Sequence, residues 1–419
     1  MSIPSAISNG NGTCGCNGTG PHRRWRAGIL PGSAVLCLLF VAAAPITTVV
    51  VAPATPSNGW SEPQSGWLYV LDPEAEDGNS VVWLVDPAEG VEGGLQAGYA
   101  PFFALSPDGA RLYIVSGQSG PPGSGVTSDE LWAIDTASGV LLRRVKLSDR
   151  VTYTLAAPGG LAVSSDGRYV HVAKSRTIRP GVHEQAIQTF DTTRGGFLPE
   201  EARLPGCGFP EIIPVSATWQ LVVMCGSRGA RLINLAADGS AKQSQFVEVP
   251  ISLSAVTTSR RVLKRPLAQI SPSADARKLG LIMNNGEIYE AEIGNSPFRI
   301  NPTLAPPLSP SHRVLQVGGS RRSPNGAKVY VGCASKDLIT TSLTADEIHV
   351  FDTANSWIRK AIIRTPVPFS DLALSADGRT LYAISPQTST LLAIDPATGK
   401  VKKSVGEIGV QPRLLAIAP

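Results

Sequence analysis

Five histidines and six cysteines are the side chains of this 419-residue sequence best suited to metal or redox chemistry. His22 lies in an N-terminal tail; His171, His183, His312 and His349 lie in or beside strands assigned to different repeat units. Three imidazoles and a carboxylate gathered at one point would hold zinc. His349, in "EIHVFDT", falls on the third strand of its unit, away from a shared axis, and the expectation is no metal site. The sequence has no His-Glu-x-x-His, no haem-attachment Cys-x-x-Cys-His, no Gly-x-Ser-x-Gly and no phosphate loop. Cys14 and Cys16 belong to the tail and Cys37 to an apolar segment. Cys207 and Cys225 flank a hairpin whose midpoint is residue 216, so they can face each other, and a disulfide is expected. Closing that short loop would stabilise by roughly 3 kcal/mol. Cys333, in "KVYVGCAS", is left unpaired and is expected to be buried.

The carboxylates recur too regularly to be a catalytic cluster. Asp86, Asp135, Asp191, Asn234, Glu292, Asp352 and Asp395 each end a strand before a turn, at intervals of 49, 56, 43, 58, 60 and 43 residues. A carboxylate there can accept backbone N–H groups, a structural duty. A second refrain marks another turn: "SPDG" at 106, "SSDG" at 164, "SPSAD" at 271, "SPNG" at 323 and "SADG" at 375. Ser, Asp and Gly at such a site suit a tight hairpin.

These refrains define the elements. Each unit reads strand, turn, strand, loop, strand, turn, strand, and 42 Gly with 34 Pro leave little room for long helices. Four antiparallel strands in ~40–50 residues make a propeller blade. The first unit opens on "GWLYVLDP" (66–73), a second strand, and so lacks an innermost one. The chain ends on "QPRLLAIAP" (411–419), an innermost strand with nothing after it. Orphan and vacancy match, giving an all-β fold: a seven-bladed β-propeller closed by its C-terminal strand.

The net charge of +4 comes mostly from Arg23, Arg24 and Arg26; without them basic and acidic residues stand at 34 to 33. No basic run with interleaved aromatics follows, which argues against nucleic acid as a partner. A basic flank, "HRRWR", precedes the uncharged stretch 27–54. That pattern is a signal peptide, with Ala52-Pro53-Ala54 as a cleavage site, or a membrane anchor. The expected organisation is a polar, basic tail (1–26), the signal or anchor (27–54), a linker (55–65) and the propeller (66–419). The propeller is expected in the periplasm or otherwise exported, free or tethered to the inner membrane by residues 27–54.

Four stretches carry a family resemblance. "LPGCGFPEIIPVSATWQLVVMCGSRGARLINL" (204–235), "MNNGEIYEAEIG" (283–294), "TADEIHVFDTAN" (344–355) and "LYAISPQTSTLLAIDPATGKVKKSVGEIGVQP" (381–412) resemble the heavy, propeller subunit of quinoprotein amine dehydrogenases of the methylamine and aromatic-amine type. The likeness runs over nearly all of 66–419, and its more specific signal is the cysteine pair combined with blade order. It implies a periplasmic heterotetramer in which the cofactor, tryptophan tryptophylquinone, sits on a small partner light chain and none on this one. It also implies a primary amine as substrate, aldehyde and ammonia as products, and a blue-copper protein as electron acceptor. No catalytic residue is then expected in this chain. "AGYAP" (97–101) matches the family's aromatic-bearing segment after the first blade, making Tyr99 the candidate wall of the substrate channel, with packing between blades one and two as its other reading. Of the adjacent Phe102 and Phe103, one is expected to face the core. The chain departs from the family at "SPSHRVLQVGGSRRSPNG" (309–326) and "CASKDLITTSLT" (333–344), places that can touch a partner.

The rival function is an exported binding or scaffold propeller of the Tyr-Val-Thr-Asn repeat type, without activity. A propeller lactonase with a central metal is disfavoured by the few histidines and the expected absence of clustered axial carboxylates.

Overall fold

The computed structural model describes residues 56–57 and most of 60–419. The stretches 118–127, 152–159, 208–210, 216–219, 226–229, 236–240, 248–266, 294–299, 306–311, 315–318, 336–343 and a few isolated positions lie outside the described residues.

All regular structure among the described residues is β, arranged as seven antiparallel sheets that are the blades of one ring. Blade 1 has Leu68–Asp72, Val81–Asp86 and Gly90–Gln96, with Leu414–Ile417 as its innermost strand. The closing register pairs Leu68 with Ile417 and Leu71 with Leu414. The C-terminus therefore fills the vacancy left by the N-terminal unit. Outside this blade, Pro56–Ser57 pairs with Leu95 and Gly94. These two residues, expected within the linker, form a fifth strand of blade 1. Trp60 follows, its Nε1 donating to the Thr136 carbonyl of blade 2 at 2.9 Å.

Both refrains are turn chemistry. In five blades a serine Oγ (Ser106, Ser164, Ser273, Ser323, Ser375) accepts the N–H five residues on, at 2.8–2.9 Å. The same hydroxyl donates to the side chain two residues on, for example Ser375 to Asp377 at 2.6 Å. That side chain in turn accepts the following backbone N–H, as Asp377 does from Arg379 at 2.9 Å. These bonds hold the Asp377 carboxyl below its ordinary range, the serine hydroxyl contributing most. The next residue needs a positive φ, met by Gly109, Gly167, Gly326 and Gly378 at 70–72°. The fifth-blade turn is built on Ser273 and Asp275, two residues later than the sequence alignment of the refrain placed its serine. Of the strand-ending residues, Asp86, Asp135, Asp191, Asp352 and Asp395 each accept a backbone N–H from the next turn. Threonine links the two turn types at one end of a blade, Thr353 Oγ1 donating to the Gly326 carbonyl at 2.6 Å. The longer connections (117 to 128, 151 to 161, 247 to 267, 334 to 345) leave from the other end, called the loop face below.

The core is distributed. Seven hydrophobic clusters lie one at each junction between neighbouring blades. Leu68 and Val70 pack toward blade 7 while Tyr69 and Leu71 pack toward blade 2. Successive side chains point to opposite faces, and both faces are covered, so inner strands are apolar throughout instead of alternating. For the same reason both adjacent phenylalanines are buried, the second as well as the one expected: Phe103 faces blade 1 and Phe102 faces blade 3.

Candidate functional site: the axial mouth on the loop face

The innermost strands of a propeller line its axis, and the first residue of each stands at the loop face. Three charged residues meet there. Glu211 opens Glu211–Val215 of blade 4, Asp371 opens Asp371–Leu374 of blade 7, and Arg321 is central in Ser320–Arg322 of blade 6. Arg321 Nη2 donates to Asp371 Oδ1 at 3.0 Å, and its Nη1 to the Ser320 carbonyl at 2.8 Å. Asp371 Oδ1 also accepts Leu372 N–H at 2.7 Å, and Oδ2 accepts Leu415 N–H of the closing strand at 2.9 Å. One carboxylate thus joins blades 6, 7 and 1.

Burial pushes Asp371 up to about 6, against the pull of Arg321 and two backbone N–H groups. Burial also pushes Glu211 up to about 7, aided by the Asp371 charge and opposed by Arg321. Glu211 keeps partial solvent contact, yet protein surrounds it closely enough for desolvation to dominate. Near neutral pH Asp371 is largely ionised and paired, whereas Glu211 populates both protonation states. Such a carboxyl can bind a cation or N–H donor, or exchange a proton with a ligand. The expected absence of clustered axial carboxylates is therefore corrected. Glu211 and Asp371 stand at positions where "GGLAVSSDG" has glycine, and Arg321 where it has alanine; that contrast is the available sequence signal.

The cysteine pair is bridged, with Cα atoms 4.6 Å apart. The hairpin register pairs Val215 with Gln220 and Glu211 with Met224. Its turn is therefore centred between 217 and 218, not at 216, and Cys207 meets Cys225 from ahead of the strand instead of across the ladder. Cys333 is free and fully buried, and burial raises its thiol far above the ordinary range, leaving it inert.

The four histidines fall in two blades, not in separate ones. His171 is buried in blade 3, 3.1 Å from Thr189 Oγ1 through Nδ1, and burial lowers it to about 4, so it is neutral. His183 is in the same blade with its backbone opposite Thr177; its side chain lies outside the described residues. His312 and His349 meet in blade 6, their Nε2 atoms 3.2 and 3.0 Å from Glu347 Oε2. Arg364 Nε donates to the other oxygen at 3.3 Å. Burial raises the Glu347 carboxyl, but bonds from His349 and Arg364 outweigh it and the net shift is downward. Tyr99 opens the innermost strand of blade 2, its backbone opposite Gly117; its side chain lies outside the described residues.

No family model matches the sequence, and no curated protein matches it. Solved structures do. A functionally unknown protein from Desulfotomaculum acetoxidans aligns over 84% of this chain and 99% of its own, at 12% identity and a TM-score of 0.59. A putative 6-phosphogluconolactonase from Bacteroides fragilis covers 85% and 99%, at 15% identity and a TM-score of 0.55. The dihydro-haem d1 dehydrogenase NirN covers 84% of this chain and 66% of its own, at 16% identity and a TM-score of 0.52. What these likenesses establish is the architecture: a seven-bladed β-propeller, a fold shared by proteins of varied function.

Proposed function

We propose that this chain is the propeller subunit of an exported amine dehydrogenase, a platform that receives its redox cofactor on a small light chain. The supporting observation is the Cys207–Cys225 bridge in the fourth of seven blades, the cysteine pair and blade order being the more specific signal of the family resemblance. On this reading the loop face receives the light chain. Tyr99, at the start of an innermost strand on that face, lines the amine's approach. The quinone, tryptophan tryptophylquinone, would supply the electrophilic carbonyl and carry electrons to a blue-copper acceptor. This chain's part is to hold, orient and exclude water. Purification from an exporting host tests it. A small chain that stains for redox-cycling quinone should accompany this one, and a dye should be reduced only when a primary amine and both chains are present. A stable monomer with no chromophore and no amine-dependent reduction would overturn the reading.

The second reading is a binding propeller with no activity of its own. The partly solvated Glu211 carboxyl beside the Arg321–Asp371 pair favours it, as a ready contact for a small cationic or N–H-donating ligand. A thermal-shift screen of small organic ammonium ions, with Glu211→Gln as control, tests it. Stabilisation present in the parent and lost in the variant supports this reading, and equal response in both removes it.

A further inference from the structure

The outward edges of the blades differ in charge. The outermost strands of blade 6, Ile358–Phe369, and blade 7, Val401–Val405, carry Arg359, Lys360, Arg364, Lys402 and Lys403, with Lys400 just ahead. All six are exposed, and neither strand contains an acidic residue. Exposed aliphatics are interleaved with them: Ile358, Ile362 and Val401, at 52%, 44% and 40% exposure. Lys360 has Asp352 at 3.7 Å and Arg364 has Glu347 at 3.3 Å, which offset part of the charge. Among the described residues Lys402 and Lys403 hydrogen-bond to backbone carbonyls, of Arg379 and Ala88, and Lys402 also acts on the Asp395 charge.

Charge on edge strands also prevents sheets from pairing edge to edge. That purpose is served by either sign, and the outer strand of blade 3, Gly196–Leu204, carries Glu200 and Glu201 with Arg203. It does not call for a single sign on two adjacent blades in a chain whose body is nearly neutral. The location supplies the reason. Lys403 reaches the Ala88 carbonyl of blade 1, next in the ring, so the basic edge of blade 7 borders that blade. The chain enters the propeller on the outer edge of the same blade, at Pro56. Pro56 comes two residues after the uncharged stretch 27–54.

We propose that the outer edges of blades 6 and 7 rest on an anionic lipid surface, beside the point where the N-terminal segment joins blade 1. Each lysine or arginine near such a surface adds attraction to the anionic headgroups, and the interleaved aliphatics add apolar contact at the headgroup level. The contact acts alongside the segment 27–54 if that is retained, and alone if it is removed.

The test uses the whole protein, with the N-terminus it has when purified. Co-sedimentation is compared between phosphatidylcholine vesicles and vesicles with roughly a third phosphatidylglycerol, at low and high salt. The parent should favour the anionic vesicles at least tenfold, less so in salt. Lys400→Glu/Lys402→Glu/Lys403→Glu should lose most of that preference while its melting temperature is unchanged. A control with the same change of charge on other exposed residues, Arg203→Glu/Arg277→Glu/Arg313→Glu, should keep it. Equal uptake by both vesicle types overturns the proposal and leaves the basic edge to an acidic protein partner. Equal loss in the variant and the control also overturns it, because net charge would then suffice.

Discussion

Glu211 and Asp371 make the same demand on the fold: each is a carboxyl that the native state protonates more readily than the unfolded chain does. The sign of the pH effect follows. Glu211 binds its proton up to about 7 when folded but only to its ordinary 4.5 when unfolded, so its contribution is complete at low pH and is lost as pH rises across that window. Relative to Glu211→Gln, the parent should lose stability between pH 4.5 and 7.5, by about 2 kcal/mol once its solvent contact is allowed for. Denaturant titrations of both proteins at the two pH values measure it; parallel curves would contradict the assigned environment. Asp371 has a different weakness. Asp371→Ala leaves the Arg321 guanidinium without its partner and the Leu415 N–H without an acceptor, at a cost of about 3 kcal/mol. At this scale the sequence was only partly legible. The repeated aspartates could be assigned because local turn geometry fixes their partners. Glu211, Arg321 and Asp371 could not, because their partners lie on other blades.

Elements respond to local changes in ways that separate their roles. Reducing or removing the bridge with Cys207→Ala/Cys225→Ala should cost about 3 kcal/mol, read as a lower denaturation midpoint. The turns are smaller units. Asp377→Ala removes the bonds to Ser375 Oγ and Arg379 N–H and should cost about 1 kcal/mol. Blade junctions tolerate less. A Cβ on Gly280 would lie 2.3 Å from the Trp357 ring, which crosses from blade 6 to blade 5. Gly280→Ala should therefore cost about 2 kcal/mol and perturb tryptophan fluorescence, since the ring must move. The sequence marked where strands and turns lie because the Ser-Asp-Gly turns and the strand-ending aspartates are local signals. It misplaced the hairpin centre in blade 4 because register depends on pairing, and it did not mark residues 56–57 as a strand because their partner is Gly90–Gln96.

For the whole molecule the decisive contact is closure. Leu414–Ile417 supplies the innermost strand of blade 1 and packs residues into the junctions with both neighbours. Deleting 411–419 should expose the inner edge of Leu68–Asp72 and uncover part of both junctions. The expected result is a broadened, less cooperative unfolding transition and association on gel filtration. A truncated chain that melts like the parent would mean the ring is not held by this strand.

The sequence alone determined the repeat, the number of blades, the cysteine partners and the mode of closure. The repeat and blade count are written in local turn chemistry, the closure in matching ends and the cysteine pair in its short separation of 18 residues, so none depends on knowing where distant residues go. Only the tertiary structure decided which charges share the axial mouth, that His312 and His349 meet on Glu347, and that the basic edge of blade 7 reaches blade 1. Those placements come from wrapping blades into a ring, which sets side by side residues whose separation along the chain carries no trace of their neighbours.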